Sequence, residues 1–171
     1  GLARFELRSR RLDSASNLEH ALSLPGEGTD SLPSITALAD GRFLVTWARA
    51  HAQDQNGIWA RHLAADGSAL GEEFRLCDNP TAIEPSLDAQ ESGAFVAAWL
   101  VQSGEGYAVQ SARFDVDGTK LSEEILATPE DGWKSGVAVA SALDGRFLVA
   151  YNTENSTAQN QDINIHRFAA D

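Results

Sequence analysis

Cysteine occurs once, methionine never, and no apolar run approaches the ~20 residues that a membrane-crossing helix requires. The lone Cys77 excludes an intrachain disulfide framework. Its place in the alternating run Phe74-Arg75-Leu76-Cys77 makes it a strand residue without a redox role. The missing methionine points to a processed product or an excised segment, and Gly1-Leu2-Ala3-Arg4-Phe5-Glu6 lacks the apolar core of a secretory signal. Positive charge is scarce as well: 13 Lys and Arg stand against 25 Asp and Glu, a formal charge of −12. Such a surface repels phosphates and anionic headgroups, so neither nucleic acid nor membrane insertion is expected. Arg4, Arg8, Arg10 and Arg11 cluster near the start, where they read better as one face of a hairpin than as a nucleic-acid arm. Catalytic signatures are also lacking: there is no Gly-x-Ser-x-Gly elbow, phosphate-binding glycine loop, His-Glu-x-x-His or paired-cysteine motif.

What the chain has is a repeat. Phe43-Leu44-Val45-Thr46-Trp47 returns as Phe95-Val96-Ala97-Ala98-Trp99 and as Phe147-Leu148-Val149-Ala150-Tyr151, each step 52 residues, with Gly41, Gly93 and Gly145 two residues ahead of the phenylalanine. A period of this size marks supersecondary units that bury their apolar faces against one another. Each period divides into short strands. The first is Ser34-Ile35-Thr36-Ala37-Leu38, echoed by Ser86-Leu87-Asp88-Ala89 and Ala138-Val139-Ala140-Ser141; the second is the aromatic strand, whose alternation puts Phe43, Val45 and Trp47 on one face. Polar loops over 50–56, 102–106 and 152–161 precede a third strand, Ile58-Trp59-Ala60-Arg61-His62-Leu63 and its copies ending at Phe114 and Phe168. The turns Asp66-Gly67 and Asp117-Gly118 suit the positive backbone angles of a tight hairpin and lead to a fourth strand, Leu70-Gly71-Glu72-Glu73-Phe74 or Leu121-Ser122-Glu123-Glu124-Ile125.

Four antiparallel strands per ~50 residues describe a β-propeller blade. The fold class is therefore all-β, with propeller-type repeats in three units over residues 31–171; the alternative is a β-trefoil, which also has three four-stranded repeats. Residues 1–30 read as displaced strands that complete the last blade, since Ala3-Arg4-Phe5 resembles Ala112-Arg113-Phe114 and Leu22-Ser23-Leu24-Pro25 resembles Leu126-Ala127-Thr128-Pro129. Three blades fall short of the usual four to eight. The expected remedies are a homodimer that closes a six-bladed ring or further blades in a longer chain.

The glycine turn, Phe-x-Val-x-Trp, polar loop, Arg113-Phe114-Asp115-Val116-Asp117-Gly118 and glutamate-rich fourth strand resemble repeats of large secreted or surface bacterial proteins. Those repeats are similar to propeller blades and accompany calcium-binding modules. The resemblance implies an extracellular, cell-surface or periplasmic location and a binding or scaffolding role, rather than a particular activity.

Candidate site residues follow from what is not repeated. The turns after first and third strands are short and alike, whereas loops after the second strand and connections after the fourth differ, so ligand specificity is expected on the latter face. There lie Trp133, Lys134, Glu105, His51, Asp54 and Glu154, with Trp133 unmatched in the other repeats. The favoured function is a noncatalytic binding or scaffolding module for a protein or glycan ligand. The alternative is a lectin or a propeller-type glycan hydrolase or lyase, with Glu105, Asp131 and Glu154 as its acids. No cofactor is required, although calcium is conceivable at Asp115 and Asp117, two carboxylates on one turn; the same residues serve ordinary turn chemistry. His62 and His166 fall near one point of the third strand and read as repeated strand residues rather than metal ligands. The paired glutamates read as solvent-facing or edge-protecting, and Asn155-Ser156-Thr157 is a sequon of the kind that arises by chance.

Overall fold

The structure, a computed structural model, describes residues 7–12, 18–24, 29–50, 53–126, 133–155 and 160–170. Strands β1 (Leu7–Leu12) and β2 (Leu18–Leu24) form an antiparallel hairpin of their own. Next come β3 (Thr29–Ala37), β4 (Phe43–Ala50), β5 (Gly57–Leu63) and β6 (Ala69–Cys77), paired strictly in chain order. A second sheet repeats this order in β7 (Ile83–Ala89), β8 (Phe95–Ser103), β9 (Gly106–Phe114) and β10 (Lys120–Leu126). The third contains β11 (Lys134–Ser141), β12 (Phe147–Asn155) and β13 (Asn160–Phe168). Every sheet pairs only within its own repeat. A trefoil would instead pair strands of different repeats into a barrel, so the architecture is the propeller type, with three blades.

Residues 1–6, with Ala3-Arg4-Phe5, lie outside the described residues. The β1–β2 hairpin constitutes a separate sheet, and β1 runs beside β3 of the first blade.

Alternation along the second strand decides which face each residue serves. Leu44 and Ala48 of blade one join Phe95, Ala97, Trp99 and Val101 of blade two in one core. One repeat later, Val96, Ala98 and Leu100 of blade two join Phe147, Val149 and Tyr151 of blade three. Each junction thus sets large aromatics from the following blade against small or branched side chains of the preceding one, so that the two faces interdigitate. Within blades, Phe95 stacks on its cross-strand partner Phe114 at 5.0 Å, and Phe147 on Phe168 at 4.4 Å. The indole of Trp99 donates to Gln110 and the hydroxyl of Tyr151 lies 3.1 Å from His166 Nε2, so these two polar tips are satisfied as their rings are buried, whereas the buried Trp47 Nε1 has no hydrogen-bond partner.

The innermost strand carries a feature that the sequence reading missed. Leu32, Glu84 and Gly136 occupy the same repeat position, and all three adopt φ between 51° and 63°. The ladder register slips there in every blade, between Ser31 and Ser34, Ile83 and Ser86, and Ser135 and Ala138. This is a β-bulge. Only Gly136 suits such a backbone; at Leu32 and Glu84 the conformation costs roughly 1–2 kcal/mol. Because the conformation recurs in the frame of each blade, it belongs to the repeat and not to one site.

Behind the bulge the second junction is tied by polar groups. Glu84, Ser86 and Asp88 of β7 accept hydrogen bonds from the backbone amides of Gly136, Val139 and Ser141 of β11, at 2.8, 3.1 and 2.7 Å. These amides point away from β12, where no strand among the described residues pairs with them, and side chains of the neighbouring blade satisfy them instead.

Candidate binding site

The loop-bearing end of blades two and three is assembled from the same backbone parts with different side chains. Thr81 and Trp133 are equivalent positions, each just ahead of a first strand, and each is tied to the end of the second strand of its blade. Gln102 N–H donates to Thr81 Oγ1, and Glu154 N–H donates to the carbonyl of Trp133. Thr81 turns inward, hydrogen-bonding Asn79. Trp133 instead projects into solvent, 57 % exposed, with its ring tilted 57° against Tyr107 of blade two at 5.6 Å. An indole with one edge braced and one face open is a preorganised contact surface.

Glu105 sits exposed in the turn between β8 and β9, two residues before Tyr107. Glu154, also exposed, accepts a hydrogen bond from Gln161 across the β12–β13 pair. Trp133 is thus linked to blade two through Tyr107 and to the end of β12 through the Glu154 amide, while Glu105 lies in the β8–β9 turn that leads to Tyr107. Asp54 is exposed on a short 3₁₀ turn, Gln53–Gln55, in the corresponding loop of blade one, where Trp59 Nε1 donates to the Gln55 carbonyl. Lys134 departs from the expectation: it is the first residue of β11 and only 4 % exposed, with interactions of its own. Strand pairing with Thr153 turns it inward, so an ammonium group beside Trp133 is not offered to solvent. His51 and Asp131 lie outside the described residues, as do Ser156 and Thr157 of the sequon.

The opposite end carries the repeated turns. Asp115 Oδ1 accepts the amide protons of Asp117 and Thr119 at 3.0 and 2.8 Å, which is the work of a turn-forming aspartate. Asp117 is exposed, and among the described residues no three His, Cys, Asp or Glu side chains converge as a metal centre would. His62 and His166 oppose Leu44 and Val149 respectively, so they occupy opposite faces of their blades. His62 packs 5.5 Å from Phe74 beside the turn of blade two, and burial depresses its pKa, aided by the Arg42 charge. The thiol of Cys77 is pushed upward by burial, consistent with an unreactive strand residue.

A polar cluster that the sequence reading did not assemble lies within blade one. Arg49 donates to both carboxylate oxygens of Asp30 at 2.7 and 3.0 Å and to Glu73 at 2.8 Å, with its guanidinium 4.7 Å from the Trp59 ring centroid. Arg49 and Asp30 are buried. Burial opposes the charge of Arg49, yet the two carboxylates more than offset it and its pKa moves upward. Glu73, expected to face solvent with Glu72, therefore turns inward; Glu72 and Glu123 do face solvent. The only hint in the sequence was that Asp30 and Arg49 have the uncharged counterparts Ala82 and Val101 one repeat later.

The chain is a propeller-type repeat protein, all-β in its described residues, with no helix long and apolar enough to cross a membrane among them. No family model matches it, and no curated protein does. Among solved structures it is similar to an endo-arabinase from Bacteroides thetaiotaomicron VPI-5482, with a TM-score of 0.54 and 15 % sequence identity. The match covers 84 % of this chain and 57 % of the arabinase, so the chain spans little more than half of that enzyme's length. At this identity the likeness concerns the fold alone.

Proposed function

We propose that the chain is a noncatalytic binding module of a secreted or cell-surface protein, and that its ligand is a carbohydrate held on the loop face against Trp133 and Tyr107. The observation that carries this reading is the exposed, braced Trp133 at a position where the neighbouring repeat has an inward-turned Thr81. Sugar rings present apolar C–H faces and polar edges, which suit an open indole on a face that also carries the exposed carboxylates of Glu105 and Glu154. The test is calorimetric titration of the chain with soluble polysaccharides, arabinan among them. Trp133→Ala is expected to weaken binding at least tenfold, on the order of 1.4 kcal/mol. Binding to the whole panel that survives Trp133→Ala unchanged refutes this placement.

A second reading is favoured by the structural likeness to an endo-arabinase: a glycan hydrolase in which Glu105 and Glu154 act as the two carboxylic acids flanking the scissile bond. Reducing-sugar release from arabinan that disappears in both Glu105→Gln and Glu154→Gln would establish it over the binding module.

A further inference from the structure

Blade three presents to solvent the surface that blades one and two use to hold their successors. Leu44 and Val96 are fully buried beneath the next blade, but Leu148, their equivalent, is 42 % exposed. Ile163 and Ile165 of β13 share that face and are 74 % and 64 % exposed. A cavity of about 250 Å³ opens there, lined by residues 140–142, Arg146, Leu148 and Arg167 among others. Its repeat equivalents are occupied. On blade one, Leu38 and Leu44 pack with Phe95; on blade two, Val96 packs with Phe147 while Arg113 lies 4.8 Å from the Phe147 ring. Arg167 opposes Leu148 as Arg113 opposes Val96. The cavity is therefore the empty counterpart of two filled phenylalanine seats.

We infer that this face of blade three docks a further propeller-type repeat of the same array, whose phenylalanine, at the position of Phe43, Phe95 and Phe147, enters the cavity over Arg167. The inference goes beyond the proposed carbohydrate site and does not depend on it. Continuity with the two established junctions identifies the occupant, since the same register positions supply the receiving surface each time. A second copy of this chain is a poorer occupant: the matching face of blade one already has Val45, Trp47 and Leu63 buried. The new junction differs from the second in one respect. Glu84, Ser86 and Asp88 are replaced by Gly136, Ala138 and Ala140, which offer no side-chain acceptors, so the contact relies on apolar surface and Arg167.

The test extends the chain after Asp171 with a copy of its own residues 67–117, which supply a fourth strand and one repeat. Accessibility is read as maleimide labelling of Leu148→Cys; native Cys77 is buried, and the cysteine carried by each added copy is changed to alanine. Labelling is expected to slow at least tenfold in the extended chain, and to stay fast when only residues 67–82 are added. Equal labelling in the full extension overturns the inference. So does concentration-dependent protection of the unextended chain accompanied by a dimer mass, which would assign the face to a second copy. A second variant removes reliance on how well the extension folds. With Leu148, Ile163 and Ile165 changed together to serine, the 171-residue chain is expected to melt within about 2 °C of the parent, and a fall of more than about 5 °C would mean the face already packs within the chain.

Discussion

Blades one and two bury the same two register positions with opposite chemistry. In blade one the cross-strand pair is Asp30 and Arg49, an ion pair extended by Glu73; in blade two the equivalent positions hold Ala82 and Val101, part of the apolar core. Both solutions sit at the loop-bearing end of the sheet. The repeat therefore specifies which positions are removed from water, and leaves open how each is made tolerable there. An apolar pair does so by packing alone, whereas the charged pair needs nearly all of its hydrogen bonds, because a lone buried charge is costly. Blade three follows a third course at this place with Lys134 and Thr153.

The sharpest contrast is between removing packing and removing charge. Trp99 is wholly enclosed between blades one and two, so Trp99→Ala is expected to cost about 3–5 kcal/mol in urea-unfolding free energy. A loss below roughly 1 kcal/mol would mean that the junction is not closed. In blade one, Arg49→Met leaves Asp30 buried without its cation, with an expected cost of about 3–5 kcal/mol. Giving blade one the residues of blade two, Asp30→Ala with Arg49→Val, removes both charges at once and is expected to cost far less, within about 1 kcal/mol of the parent. If the double variant is as damaging as Arg49→Met, the ion pair contributes a stabilisation of its own and the two blades are not interchangeable at this place.

The comparison also explains what was legible in the sequence. Phe43, Phe95 and Phe147 announced themselves because a period-2 strand repeated at 52 residues can only be an inward face copied three times. Short Asp-Gly turns were equally plain, being local chemistry. The triad of Asp30, Arg49 and Glu73 was not, because its members are separated by 19 and 24 residues and meet only through sheet register. Similarly, the bulge at Leu32 and Glu84 puts non-glycine residues at positive φ, against local preference, so only Gly136 hinted at it. Among candidate site residues, loop reasoning put Trp133, Lys134, Glu105, His51, Asp54 and Glu154 on one face, and of these Lys134 is buried. A one-residue difference between connection and strand turned it inward.

A smaller effect distinguishes the two ends of the sheet by pH. His62 is partly buried against Phe74 and the blade-two turn, and its folded pKa is lowered from 6.5, chiefly by burial. The folded protein thus binds this proton less readily than the unfolded chain. The stability associated with neutral His62 is complete above pH ~6.5 and declines as pH falls from there toward the folded value. Unfolding free energies measured from pH 7.5 to 5.5 should decrease in the parent and decrease less in His62→Gln. Equal slopes would remove His62 as the source.

The smallest expected effect on stability tests whether frame and ligand surface are separable at all. Thr81 and Trp133 are held by equivalent main-chain positions, one turned in and one projecting out. If the frame sets only the backbone, Trp133→Thr should change unfolding free energy by no more than about 0.5 kcal/mol, the usual span for an exposed substitution without a special partner. The contact with Tyr107 sets the upper limit, since an aromatic pair adds about 0.5–1.5 kcal/mol beyond burial and this one is open to water on one side. Carbohydrate binding, by contrast, should fall at least tenfold in the same variant. A stability loss above about 1.5 kcal/mol would make Trp133 a plug over the junction of blades two and three, and would move the search for a ligand to Asp54 and the loop of blade one.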